Sequence, residues 1–276
     1  MRPSFVGRTV AVGAALALGA SACAVSTQQE VEMGAQYSQQ INQQLPIITD
    51  PLVNQYINTL GNELARVADD RNLEWHFYVV NSSEVNAFAV PGGYVYINRG
   101  LIERAARMDQ VAGVLGHEIG HVTHRHSVKQ MGQQNGAQIG LTVACVLQPS
   151  VCNSQLGSAA INVGAQAVFA KFSRNDEAEA DQAGIEYTVK AGIDPRGIPE
   201  MFQILLDERQ TRPGAVEAWF QTHPLEENRI HDTEATISKY NVTQLNQLTR
   251  DSNNFHTFQQ RVRSLPAAPQ QARSGN

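Results

Sequence analysis

Leu52, Tyr56, Leu60, Leu64 and Val67 recur at helical spacing, a stripe that predicts a helix burying one face. Asp50 and Pro51 in front of it supply a cap and a first helical position. Leu73 to Val80 and Ala87 to Asn98 are rich in aromatic and β-branched side chains, and Pro91-Gly92-Gly93 between Val90 and Tyr94 has the composition of a hairpin turn. A small antiparallel sheet is expected there. Helical spacing returns at Val111, Leu115, Ile119 and Val122, so Met108 to His126 reads as a mostly buried helix. Ser127 to Ala170, rich in Gly, Ala and Gln, is expected to form a helical hairpin. Phe172 to Lys190 follows as a helix stopped by Ala191-Gly192 and Pro195, with two more around Pro199 to Glu208 and Pro224 to Tyr240. Polar, Gln-rich Gln28 to Gln44 fits either a tether or a helix lying on the body. The pattern predicts a mainly helical α+β domain over residues 51–245, an appended segment 23–50, and a tail 246–276 whose Pro, Ala, Gln and Ser end is expected to be disordered.

The apolar run from Val10 to Ala20 lies behind Arg2 and Arg8 and is too short to cross a bilayer, which takes about 20 residues. With the small residues Gly19-Ala20-Ser21-Ala22 after it, it reads as a secretory signal, residues 1–22. Cys23 at that point predicts a bacterial lipoprotein, cleaved before Cys23 and lipidated on it; the alternative is ordinary cleavage after Ala22 with a free thiol. An exposed unpaired thiol is a liability in an oxidising compartment, which favours lipidation. Ala24 rather than Asp follows, and resemblance to known bacterial lipoproteins then implies the outer membrane, facing the periplasm. In such a compartment Cys145 and Cys152, separated by Val-Leu-Gln-Pro-Ser-Val, read as a disulfide closing a turn, with two buried thiols as the alternative. Across 276 residues there are 21 basic and 26 acidic side chains and no cluster of Lys and Arg, so nucleic acid is not an expected partner.

Candidate chemistry sits on the buried helix. His117-Glu118-Ile119-Gly120-His121 places two imidazoles one turn apart on one face, able to share a metal ion, with Glu118 beside them to take a proton from an attacking water. Gly116 and Gly120 each cost about 1 kcal/mol against Ala in a helix, which points to another segment packed closely against them. His124, seven residues from His117, is about 10.5 Å along a straight helix and cannot share its ion; His124 and His126 are expected behind the ligands or at the surface. For a third ligand, Glu177 and Asp181 share a face of the next long helix, whereas Glu179 lies roughly 200° round from either. Glu177 is therefore the expected ligand and Asp181 the acceptor of a ring N–H from a ligand histidine. A helix dipole suffices to explain Asp176 and Glu179.

Asn86-Ala87-Phe88-Ala89-Val90-Pro91-Gly92-Gly93, His117 to His121, and Ser173-Arg174 through Asp181-Gln182-Ala183-Gly184 resemble the HtpX-type and CAAX-prenyl-protease-type zinc metallopeptidases over roughly Asn86 to Tyr240. Thr222-His223-Pro224 with Arg229 nearby resembles the late His-Pro motif of the exported, BepA/LoiP-like branch. The resemblance implies a zincin-like domain with one Zn2+ per chain on His117, His121 and Glu177, and water or His223 in the fourth position. Glu118 becomes the catalytic base, His223 either a blocking ligand or a catalytic group, and Asn86, Ala87, Phe88 and Ala89 a substrate-binding edge. Misfolded or unassembled envelope proteins are the implied substrates. The alternative is a zinc-binding envelope chaperone or assembly lipoprotein whose site His223 keeps closed. A helical repeat domain of the kind BepA carries is not expected after Tyr240.

Overall fold

The computed structural model describes residues 25–134, 171–224 and 227–267. Cys23, the signal segment, Cys145, Cys152 and residues 135–170 of the expected helical hairpin lie outside them; its first part, from Ser127, is helical as far as Gln134. In chain order the elements are α1 (Thr27–Gln44), α2 (Pro51–Ala68), β1 (His76–Val80), β2 (Ala87–Val90), β3 (Tyr94–Asn98), α3 (Arg99–Arg104), α4 (Met108–Thr123), α5 (His126–Gln134), α6 (Arg174–Lys190), α7 (Gly197–Thr211), α8 (Pro213–Thr222), α9 (Glu227–Ile237), α10 (Val242–Leu245) and α11 (Asn253–Ser264). None of the described helices is long and apolar enough to cross a membrane.

The sheet order is β1-β3-β2, and the sheet is mixed rather than antiparallel. The expected hairpin is present, with Gly92 and Gly93 at φ 84° and 101° and Ala87 opposite Ile97. Its return strand β3 inserts beside β1 in parallel, His76 opposite Tyr94 through Val80 opposite Asn98. Strand composition alone does not distinguish this crossover from a meander. Side chains alternate across the pleat. Phe77, Val79, Ala87, Ala89, Val95 and Ile97 join the main core with α2 and α4, while Val80, Phe88, Val90 and Tyr96 pack with Met33, Tyr37 and Ile41 of α1. Gln28 to Gln44 thus lies within a helix that covers the sheet's second face. Ser26 and Gln29 close a reciprocal cap at its start.

Asp50 caps α2 through the Leu52 and Val53 amides, and the helix buries Val53, Ile57, Leu60 and Leu64. Leu52, expected in the apolar stripe, is exposed. Four helices escape the sequence pattern, α3 and α10 being only six and four residues long. α8 is short, and α11 carries only Phe255, Phe258 and Val262 as buried apolar anchors in a polar segment. By packing α11 on α2 and α3, the chain extends its body past residue 245, where a tail was expected.

α4 is buried from Met108 to Val122 and packs against α2, α6, α7 and β2. Its glycines let α6 approach. A β-carbon on Gly116 would stand 3.3 Å from Gly184 Cα, and one on Gly120 would stand 3.1 Å from Ala180 Cα.

Candidate metal centre

Close approach of α4 and α6 brings three side chains to one point. Nε2 of His117 and Nε2 of His121 lie 3.0 Å apart. Glu177 reaches between them, Oε2 at 3.7 Å from His117 Nε2 and Oε1 at 3.6 Å from His121 Nε2. His223, at the C-terminal end of α8, supplies a fourth ring, and the four ligand atoms all fall within 4.8 Å of one another. All four residues are buried.

Asp181, one turn beyond Glu177, places Oδ1 2.9 Å from His117 Nδ1. Burial pushes the Asp181 carboxyl up, but Arg229 and His117 outweigh it and hold it below the ordinary range. An ionised carboxylate only accepts, so His117 carries its proton on Nδ1 and turns the Nε2 lone pair toward His121. Burial, opposed by Asp181, keeps His117 below its ordinary value. Burial and the neighbouring His117, His223, His126 and Arg229 keep His121 well below it.

Glu118 is fully buried next to this cluster, its Oε1 3.4 Å from His223 Nε2. Neither carboxylate oxygen has a hydrogen bond, although the Ala89 amide approaches; burial pushes the group up to about 8 despite the charge on Arg229. His223 is set by a 2.8 Å contact of Nδ1 with Thr222 Oγ1 and by stacking on Trp219, centroids 4.6 Å apart. Burial and His117 hold it well below its ordinary value.

His223 Nε2, Glu177 Oε1 and both Glu118 oxygens are buried without hydrogen bonds. Such atoms are costly unless something satisfies them. Imidazole nitrogens and one carboxylate converging on one point form a donor set suited to a divalent transition metal. The residues present therefore fit a metal ion.

Arg229 of α9 is the site residue whose role the sequence left unread, though it lies beside the late motif. Its guanidinium donates from Nε and Nη2 to Asp181 at 2.8 and 2.7 Å and from Nη1 to Glu177 Oε2 at 2.5 Å. It also lies over the Phe202 ring at 4.6 Å. Burial pushes Glu177 well above the carboxylate range, and Arg229 is the main group opposing that. Asn86 to Ala89 lead into and form β2, the edge of the sheet, which packs against α4. Asp176 reciprocates the Ser173 cap of α6. Glu179 points away from the four-residue cluster, as its helical angle requires, but reaches His126.

Two histidines one turn apart, a carboxylate from a second helix and an unbonded glutamate beside them define a metallopeptidase of the HExxH class. The chain belongs to peptidase family M48, whose profile matches residues 51–237. The beta-barrel assembly-enhancing proteases of Yersinia pestis and Escherichia coli (strain K12) are each 36% identical to it, over 78% and 75% of this chain. These matches cover 45% and 44% of those proteins, so the chain spans less than half their length. Metalloprotease LoiP of Escherichia coli (strain K12) is 29% identical over 63% of this chain and 66% of its own length.

Proposed function

We propose that the protein is a zinc-dependent endopeptidase of the bacterial cell envelope that hydrolyses misfolded or unassembled envelope proteins. The observation that carries this reading is the pair of Nε2 atoms 3.0 Å apart, faced by Glu177, with the unbonded Glu118 carboxylate alongside. His117, His121 and Glu177 would hold one Zn2+. When bound, zinc supplies Lewis acidity, polarising the scissile carbonyl and acidifying water. Glu118 accepts the proton of the attacking water and returns it to the leaving amine, so that the carboxylate is regenerated with each turnover. Its raised pKa suits both halves of that exchange. Asp181 and Arg229 orient His117 and Glu177. An extended substrate would add to the edge strand β2 near Asn86 to Ala89, bringing its backbone beside Glu118.

The names of the relatives, which speak of β-barrel assembly, support envelope proteins as substrates. The signal pattern and Cys23 support an outer-membrane lipoprotein facing the periplasm, with Cys145 and Cys152 as a disulfide. The test is Glu118→Gln, which keeps side-chain size and all metal ligands. Metal content should stay at one zinc per chain while cleavage of an unfolded protein falls at least about 10²-fold. Near wild-type cleavage would refute the mechanism.

A second reading has one observation in its favour: buried His223 aims Nε2 into the cluster, 3.4 Å from Glu118. A site closed this way suits a zinc-binding envelope chaperone or assembly lipoprotein. Stoichiometric zinc without turnover of unfolded protein would favour it.

A further inference from the structure

His121 has a ring nitrogen that the proposed zinc chemistry does not use. Its Nδ1 lies 2.9 Å from Nδ1 of His126, and Nε2 of His126 lies 3.1 Å from Glu179 Oε2. His126 is buried, whereas the Glu179 side chain is 52% exposed. Asp176 Oδ1 stands 3.7 Å from the same His126 Nε2, and Lys129 Nζ stands 3.7 Å from Glu179. Ring packing confines the pair: Phe172 stacks on His121 at 4.0 Å, and His124 stacks on His126 at 5.6 Å.

Proton placement along this row follows from what each group can do. The Glu179 carboxylate accepts, so the His126 proton belongs on Nε2. Nδ1 of neutral His126 is then a lone pair facing His121. His121 meets it with an Nδ1–H, which leaves the His121 Nε2 lone pair directed at the metal point. His117 reaches the same state beside Asp181, whose Oδ1 lies 2.9 Å from its Nδ1. One ligand histidine is thus fixed by a carboxylate directly and the other by a carboxylate acting through an intervening ring.

Backbone geometry shows that His126 is brought there by a specific device. On a continuing helix the residue five beyond His121 would lie about 140° round from it. Instead α4 ends at Thr123, and Arg125 takes φ 59°, turning the chain so that α5 starts with the His126 ring against His121. A left-handed conformation is unfavourable for a residue other than glycine. Arg125 is held in it by Nε donating to Glu30 Oε2 at 2.7 Å and by Nη2 bonding to Val25 O. Glu30 is fully buried and also accepts from Arg71 Nη1 at 2.9 Å.

We infer that His126, backed by Glu179, is a positioning residue that fixes the tautomer and ring orientation of His121 for metal binding. This rests on the reading that His121 is a metal ligand. The experiment compares zinc affinity, by chelator competition, among wild type, His121→Ala, His126→Phe and His126→Asn. Phenylalanine keeps the ring packing and removes the acceptor; asparagine restores an oxygen near the Nδ1 position. His126→Phe should bind zinc about 10- to 100-fold more weakly, and His126→Asn should recover most of the loss. Equal affinity in His126→Phe and wild type overturns the inference, as does His126→Asn binding no better than His126→Phe. If His121→Ala binds zinc as wild type does, the ligand assignment itself fails, which separates the two failures.

Should His126→Phe not fold, zinc-loaded wild type labelled with 15N gives the answer without substitution. A scalar coupling across the N–H···N bond between the two Nδ1 nuclei is expected. A His126 ring protonated on Nδ1 would overturn the inference.

Discussion

Replacing Arg229 with methionine keeps an unbranched stem over Phe202 but deletes three charge-assisted hydrogen bonds to Glu177 and Asp181. The arginine side chain is 11% exposed, and its partners are 1% and 7% exposed, so water cannot replace it freely. Breaking such a buried pair from one side costs about 3–5 kcal/mol, because the remaining charge stays buried. In a chain of this size that lowers Tm by about 6–20 °C, at roughly 2–4 °C per kcal/mol. Asp181 is held below its ordinary range by Arg229 and His117 against burial. Its stabilising contribution is therefore present above the unfolded pKa and is lost as pH falls through the folded one. Glu177, which burial raises, opposes folding as pH rises through the carboxylate range, and does so more strongly once Arg229 is gone. Both effects make the gap between wild type and Arg229→Met widest at neutral pH and narrow it on acidification toward about pH 4. Urea unfolding of chelator-treated proteins at pH 7 and at pH 4 measures it. A neutral-pH difference under about 1 kcal/mol, or a gap that widens in acid, would refute the assignment of Arg229 as the holder of these carboxylates.

On the proposed function, His223→Ala should bind zinc through the three remaining side chains and cleave unfolded protein faster than wild type, since the ring stands 3.4 Å from Glu118; slower turnover with full zinc occupancy would instead assign His223 to catalysis. Gly34→Ala should destabilise the protein by about 1–3 kcal/mol in urea, because the added carbon would fall 1.8 Å from the Pro91 carbonyl oxygen of the hairpin turn. Gly214→Ala, whose β-carbon meets nothing within 4 Å, serves as the control and should be neutral or slightly stabilising.

What could be read from the chain beforehand depended on distance along it. Four-residue spacing on straight helices places His117 with His121 and Glu177 with Asp181, and sets Glu179 apart, because helical angle is a local property. Gly116 and Gly120 announce a close neighbour, and Gly184 and Ala180 of α6 are that neighbour. Arg229 meets its carboxylates across a loop and a second helix pairing that no local periodicity encodes. His126 is expected behind the ligands or at the surface, but its contact with His121 is not legible: helical arithmetic sends it off the His121 face, and the departure from a helix occurs at Arg125, an arginine, where sequence favours glycine or asparagine. The parallel β1–β3 pairing is likewise a matter of which strand inserts where, and the same strand composition serves either topology.

Glu30 lies outside residues 51–237, the span matched by the family, yet it is completely enclosed and is gripped by Arg71 and Arg125. Excising the family-matched span as a recombinant fragment would therefore strand both guanidiniums and release the turn that sets His126. It would also remove Phe255, Phe258 and Val262 from the far side of α2. A fragment that folds by itself is accordingly expected to be larger than the family-matched span, and transplanting residues 51–237 alone would carry the reactive groups while leaving part of their scaffold behind.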